Sequence, residues 1–96
     1  MGFERNARKA DGNLRKHGVS FDEAASVFLD PLSATGEDPD HSLEEKRFVT
    51  FGMSSSGCLL VVAHVDRDDA IRIVTARLAT RAERKPYEEA WEAGCR

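Results

Sequence analysis

Three β-rich runs in close succession constrain the fold of this chain more than any other feature. They are residues 47–53, 58–65 and 71–77, separated by short stretches with the composition of turns. Connections this short join antiparallel neighbours, because a parallel crossover needs about a dozen residues. The middle run is apolar on both faces, which is typical of a central strand. The second half of the chain therefore predicts an antiparallel meander.

Helix signals flank the three runs. Asn6 and Gly18 stand where the caps of a first helix belong. Ser20 to Glu23 and Thr80 to Glu83 both have the spacing of a capping box, which predicts a second N-terminal helix and a C-terminal helix. Pro86 predicts a kink or break in that last helix. The predicted fold class is α+β: two N-terminal helices, an antiparallel sheet meander and a C-terminal helix.

Two further short strands are expected outside the meander, at Phe3–Glu4 and at residues 32–35. We expect the acidic stretch 37–45 to form a solvated loop. The 96 residues suffice for one domain, which we expect to span residues 1–96.

Composition bounds the class of protein. No apolar run approaches the roughly 20 residues that cross a bilayer, so no membrane contact is expected. The N-terminus lacks the basic-then-apolar order of a signal peptide. Cys58 and Cys95 lie outside any CxxC pair and are expected to stay reduced. These features predict a cytoplasmic location.

Charge is distributed unevenly along the chain. The net charge is −3. Residues 1–17 carry five basic and two acidic side chains, whereas residues 18–46 carry eight acidic groups and one lysine. A protein that coats nucleic acid nonspecifically would be basic overall, which argues against that class. A focused basic site is compatible with this distribution.

Four separated motifs resemble those of the BrnT toxins. Residues 16–24, KHGVSFDEA, resemble the family signature KHGVSFEEA, and residues 75–84, TARLATRAER, are similar to its S-A-R-x-A-T-x-x-E-R element. Residues 38–41 match D-P-D-H, and residues 47–54 match R-F-x-x-x-G-x-S. The similarity runs from about Phe3 to Tyr87. The chain departs from the usual pattern at Arg5, where the family has Trp, and at Pro86.

This resemblance implies a RelE-like fold and a ribonuclease toxin that inhibits translation and growth. It also implies two partners, an RNA substrate and a BrnA-type antitoxin with a DNA-binding domain, with a dimer of toxin–antitoxin heterodimers as one arrangement. The alternative is a non-catalytic protein-interaction module with the same fold.

Metal-independent cleavage of RNA needs three kinds of group. A base takes the proton of the ribose 2′-OH, cations stabilise the phosphorane, and an acid protonates the leaving 5′-oxygen. Arg77 ends a strand and Arg84 lies in the first turn of the next helix, so we expect both to hold the scissile phosphate. We expect His17, at the end of the first helix, to carry the proton. The sequence shows no zinc-type ligand spacing and no glycine-rich phosphate loop, so neither a metal nor another cofactor is expected.

Several other residues are weaker candidates. The basic side chains expected to bind RNA are Arg81, Arg47, Lys46 and Arg72, and His64 and Tyr87 are further candidates for the site. Regular alternation places Arg72 and Arg77, five apart, on opposite faces of their strand. The partner of His64 across the turn is Ile71 or Arg72, depending on turn length. Structural roles stay open: solvated arginines beside a capping box, a packed His17, and an Arg47 ion pair with Glu44 or Glu45.

Overall fold

The sheet is built around the predicted meander. The computed structural model describes residues 2–4, 6–38, 46–67 and 69–85. The elements in chain order are β1 (Gly2–Glu4), α1 (Ala7–His17), α2 (Phe21–Ser26), a 3₁₀ turn (Val27–Leu29), β2 (Ala34–Glu37), β3 (Arg47–Met53), β4 (Leu59–Arg67), β5 (Ala70–Leu78) and α3 (Arg81–Arg84). The five strands form one sheet in the order β1-β5-β4-β3-β2.

Strand directions confirm the α+β class. Strands β2 to β5 pair antiparallel with their neighbours, and β1 joins the edge of β5 in parallel. The strand expected at residues 32–35 begins later, at Ala34, because the amide of Leu32 bonds to the Asp30 carboxylate in a turn. Pro86, Tyr87 and most of the acidic loop lie outside the described residues.

The helix caps form as the sequence predicts. Asn6 Oδ1 accepts from the amides of Arg8 and Lys9, and Gly18 ends α1 at φ 70°, the left-handed region that favours glycine. Ser20 caps α2 through the Glu23 amide. At α3 the capping box is complete, because the Thr80 amide also donates to the Glu83 carboxylate at 2.8 Å.

Both faces of the sheet carry apolar side chains. On one face, α1 and α2 pack over β4 and β5, and the buried core there includes Val19, Phe21, Ala24, Val27, Leu60, Val62, Ile71, Ile73 and Ala76. A smaller buried cluster, formed by Leu59, Val61 and Ala79, occupies the opposite face with Val49 and Phe51 against it. We call this second face the open face, a name that means only that α1 and α2 lie on the other side of the sheet.

The side chain of Asn13 connects α1 to the edge of β5 through hydrogen bonds. Its side-chain amide donates to the carbonyl of Ala76 at 2.9 Å, and its Oδ1 accepts from the Ala76 amide at 3.1 Å. The same nitrogen donates to the carbonyl of Val19 at 2.9 Å. A single buried amide thus satisfies backbone groups of β5 past the end of β1.

A β-bulge in β5 changes the face of the sheet from which Arg72 projects relative to Arg77. Ala63 pairs with Thr75, but the next residue, His64, pairs with Ile73, so Val74 is an extra residue in the ladder. An extra residue reverses the alternation of side chains beyond it. Arg72 and Arg77 therefore lie on the same face, and the expectation of opposite faces is wrong.

Two other findings concern composition. Cys58 is buried and disulfide-bonded, so the expectation of a reduced thiol is wrong there, and spacing alone does not encode such proximity. Cys95 lies outside the described residues. Within the described ranges, no helix has the length and apolarity needed to span a bilayer.

Candidate functional site

Three predicted site arginines project from the open face. Val65 of β4 lies opposite both Arg47 of β3 and Arg72 of β5, and Val61 lies opposite Arg77. Paired residues project to the same side of a sheet, and Val61 belongs to the open-face cluster. Two strand spacings separate the backbones of Arg47 and Arg72, about 10 Å. The sheet thereby gathers positive charge on the side away from α1 and α2.

Arg77 is held by Glu83 through a two-pronged ion pair. Its two terminal nitrogens donate to the two carboxylate oxygens at 2.7 and 3.0 Å. The hydrogen bond from Arg77 is the main reason that the pKa of Glu83 falls to about 2, and the same bond raises the pKa of Arg77. Because 40% of the Arg77 side chain is still exposed, an anion in solution can reach the guanidinium.

The arginines of α3 follow directly after Arg77 along the chain. Arg81 is the first residue of the helix and is exposed, whereas Arg84 is the last and is half-buried. Lys46 is exposed just before β3. These positions place the predicted basic residues around the open face and the start of α3, and Tyr87 lies outside the described residues.

His17 lies beside a cavity between α1 and β5. The cavity has a volume of about 280 Å³ and is lined by Lys9, Gly12, Asn13, Lys16, His17, Val74 and Thr75. Thr75 shares the open face with Arg77 and precedes it by two residues, about 7 Å along the strand. The structure therefore brings His17 to the segment of β5 that leads to Arg77, although neither Arg77 nor Arg84 lines the cavity.

His64 occupies the other face of the sheet. Its partner on β5 is Ile73, so both expected partners, Ile71 and Arg72, are wrong, because the two strands stay paired as far as Arg67 and Ala70 and the turn is shorter than expected. Only 2% of its surface is exposed. The ring lies between Phe28 and Phe48. These contacts separate His64 from the arginines of the open face.

Both ring nitrogens of His64 have hydrogen-bond partners. Nδ1 lies 2.8 Å from the carboxylate of Asp66, and Nε2 lies 2.7 Å from the hydroxyl of Thr50. A carboxylate accepts, so Nδ1 donates to Asp66, and the hydroxyl of Thr50 is the hydrogen-bond partner of Nε2. The arrangement is that of a satisfied core histidine.

Sequence reasoning missed three residues at or beside the candidate site. Glu83 was interpreted only as a capping residue, yet the capping box also aims its carboxylate at the end of β5 and thus at Arg77. Lys9 and Lys16 were not singled out. Their spacing with His17 on one helical face is a signal that the sequence does contain.

Comparison with known proteins identifies the fold and the family. No curated protein matches the sequence. The structure is similar to the crystal structure of the Brucella abortus ribonuclease toxin BrnT, solved at 1.1 Å, with a TM-score of 0.64 and 19% identity over 84% of this chain and 99% of that chain. At that identity the likeness shows the fold. The model of the family described as "Ribonuclease toxin, BrnT, of type II toxin-antitoxin system" matches residues 6–83. Because this match covers most of the chain, the protein belongs to the BrnT family of ribonuclease toxins, whose description implies an RNA target and a protein antitoxin as partner.

Proposed function

We propose that this protein is a cytoplasmic endoribonuclease toxin that cleaves RNA without a metal ion and so inhibits translation and growth. The observation that carries the proposal is the shared face of Arg47, Arg72 and Arg77 in a member of a ribonuclease toxin family. Three guanidinium groups on one face can bind several phosphates of a single strand.

In this proposal Arg77 and Arg84 hold the scissile phosphate. The guanidinium of Arg77 presents a planar fork, which suits two phosphate oxygens as well as it suits the two oxygens of Glu83. A bound phosphate therefore competes with Glu83 for the same donors. Until RNA binds, Glu83 keeps the side chain of Arg77 in one orientation. In the complex with RNA, flanking phosphates are contacted by Arg81, Arg47, Arg72 and Lys46.

His17 is proposed as the proton carrier. Glu83 is the nearest carboxylate to Arg77, but a pKa of about 2 makes it a weak base near neutral pH. An imidazole is suited to proton transfer in that range. His17 is half-buried beside Thr75, on the strand that carries Arg77, which supports its role over that of the enclosed His64.

We propose metal independence on the basis of the arginines of the open face. The arginines supply the positive charge that a metal would otherwise bring to the developing phosphorane.

A BrnA-type antitoxin with a DNA-binding domain is proposed as the neutralising partner. Its extended or helical segment covers the basic open face, so that RNA and antitoxin exclude each other. A dimer of such heterodimers is compatible with the proposal.

The test is cleavage of RNA by the purified protein and three variants, with EDTA present. Arg77→Ala and Arg84→Ala should each slow cleavage by about 10²–10³, the usual effect of losing one donor to a developing anion. His17→Ala should also slow it. Arg8→Ala removes an exposed charge from α1 outside the site and serves as the matched control, with circular dichroism to verify folding.

Two results would contradict the proposal. Wild-type rates in both folded arginine variants would place the site elsewhere. A wild-type protein that neither cleaves RNA nor arrests growth when expressed alone would favour the alternative, a protein-interaction module.

A further inference from the structure

The cavity beside α1 presents one continuous helical face. Lys9, Lys16 and His17 line it, spaced at i, i+7 and i+8, with Gly12 and Asn13 between them. Two turns of helix separate the two lysines, about 10 Å along the axis. Both lysines are exposed, so their ammonium groups are accessible to a ligand in the cavity. We call this feature the α1 cleft.

Gly12 has no packing reason to be glycine. A glycine inside a helix costs about 1 kcal/mol relative to alanine. A Cβ built at Gly12 would meet nothing within 4 Å, so no neighbouring group requires its absence. Gly12 lies in the lining, between the turns that carry the two lysines. Its missing side chain leaves the cleft open at the point where a ligand bridging the lysines would pass.

The charges and hydrogen bonds of the cleft select the class of ligand. Its described lining contains two lysines and one histidine and no carboxylate, and Asp11 is exposed elsewhere on α1. The side chain of Asn13 already forms hydrogen bonds with the backbone of Val19 and Ala76, so we do not expect it to bind the ligand. A polyanion that contributes phosphates and needs no base-specific partner fits these groups.

The position of the cleft connects it to the arginines. Thr75 lines the cleft and lies on the open face, and Arg77 follows two residues later on the same strand. A strand of RNA that lies across Thr75 can thus contact α1 and the open face together.

We propose that the α1 cleft binds the sugar–phosphate backbone of the substrate RNA next to the scissile phosphate. Lys9 and Lys16 contact phosphates, and Gly12 gives the strand room to pass. The inference rests on the proposed function, because it extends the same RNA site. It predicts binding that is independent of base sequence and strongly dependent on salt.

The experiment measures binding separately from cleavage. Fluorescently labelled single-stranded RNA with 2′-O-methyl groups lacks the nucleophile, so its anisotropy reports binding by a protein that is still active. Each phosphate contact contributes about 0.7 to the slope of log K against log salt for single strands. Lys9→Ala and Lys16→Ala should each lower the magnitude of that slope by about 0.7, so the affinity that each variant loses relative to the wild type should be about fivefold larger at 0.1 M salt than at 1 M. Arg8→Ala and Arg15→Ala remove the same charge from α1 outside the cleft and should change the slope much less.

Gly12 provides a second readout that a purely structural role would not give. Gly12→Met should fill the cleft and weaken RNA binding while raising thermal stability, since methionine is a better helix former than glycine. Gly12→Ala adds one carbon in open space and should raise stability with a smaller effect on binding.

The outcomes separate this inference from the proposed function. Equal slopes for the lysine variants and their arginine controls, with wild-type binding by Gly12→Met, would overturn the α1 cleft even if the protein cleaves unmodified RNA. Absence of any RNA binding by the wild type would also overturn it. Lysine-dependent binding by a protein that cleaves no RNA would support the cleft and overturn the proposed function.

Discussion

The ion pair between Arg77 and Glu83 makes the stability of the fold depend on the ionisation of the Glu83 carboxylate. Glu83 also accepts from the Thr80 amide, so its ionised form has partners on both β5 and α3. Its folded pKa of about 2 lies below the ordinary value of 4.5. A lowered folded pKa gives a stabilising contribution that is complete above 4.5 and is lost as the pH falls toward 2.

We predict that Glu83→Gln flattens the acid limb of the stability curve. The free energy of unfolding of the wild type, measured in urea, should fall more between pH 4.5 and pH 2 than that of the variant. The difference should be modest, about 0.2–1 kcal/mol, because solvent reaches both partners of the pair. Glu37→Gln removes an exposed carboxylate of β2 as the control. Parallel acid limbs for Glu83→Gln and the wild type would contradict this prediction.

Asn13 is predicted to be the most sensitive polar residue of α1. Asn13→Ala leaves the amide and carbonyl of Ala76 without their side-chain partner in a buried place. Each unsatisfied buried group costs about 1–3 kcal/mol. Thermal or urea unfolding should therefore show a loss in that range or above it. Leu14→Ala, at a neighbouring residue that is 50% exposed, should cost much less. Similar losses for both variants would show that the contact to β5 carries little weight.

At the scale of elements, the 3₁₀ turn after α2 packs directly on β3. A Cβ at Gly52 would lie 2.6 Å from Cγ1 of Val27 and 3.0 Å from Cβ of Ser33. Gly52→Ala therefore forces the turn away from the sheet, and overpacking of this kind costs about 1–3 kcal/mol. Urea unfolding checks the prediction, and Gly36→Ala, a strand glycine with open space around it, is the matched control. A neutral Gly52→Ala would mean that the turn can shift without loss of packing.

Elements defined by local signals were predictable from the sequence. The caps at Asn6 and Thr80 and the three strands of the meander depend on residues close together in the chain, and all of them form. The bulge at Val74 was not predictable, because nothing in an alternating apolar run marks the residue that will lack a partner.

The candidate site was less predictable than the fold for the same reason. The gathering of Arg47 with Arg72 and Arg77 depends on the bulge and on the registers of three strands. The contact of Asn13 with Ala76 joins residues 63 apart. The pairing of Arg77 with Glu83, six apart, was within reach of the capping-box pattern.

For the whole molecule, a net charge of −3 coexists with a basic face. We predict that the protein antitoxin and RNA compete for this face. Addition of the protein antitoxin should abolish binding of the labelled RNA and raise the free energy of unfolding, by about 2.7 kcal/mol when the free antitoxin exceeds its Kd a hundredfold. Size-exclusion chromatography should show a complex. Simultaneous binding of RNA and antitoxin would contradict a shared surface.

The attachment of both N-terminal elements to β5 has a consequence for synthesis of the protein. β1 pairs with residues 70–72, and Asn13 closes on Ala76. The ribosome synthesises α1 before β5, yet the contacts between them can form only after β5 has emerged. Closing so long a loop costs entropy, which only these late contacts offset. A chain that stops before β5 therefore lacks Arg77, and it also lacks Val74 and Thr75, which line the α1 cleft together with Lys9 and Lys16. Under the proposed function, a nascent chain is therefore inactive until β5 has been synthesised, and an antitoxin has to act only after that point.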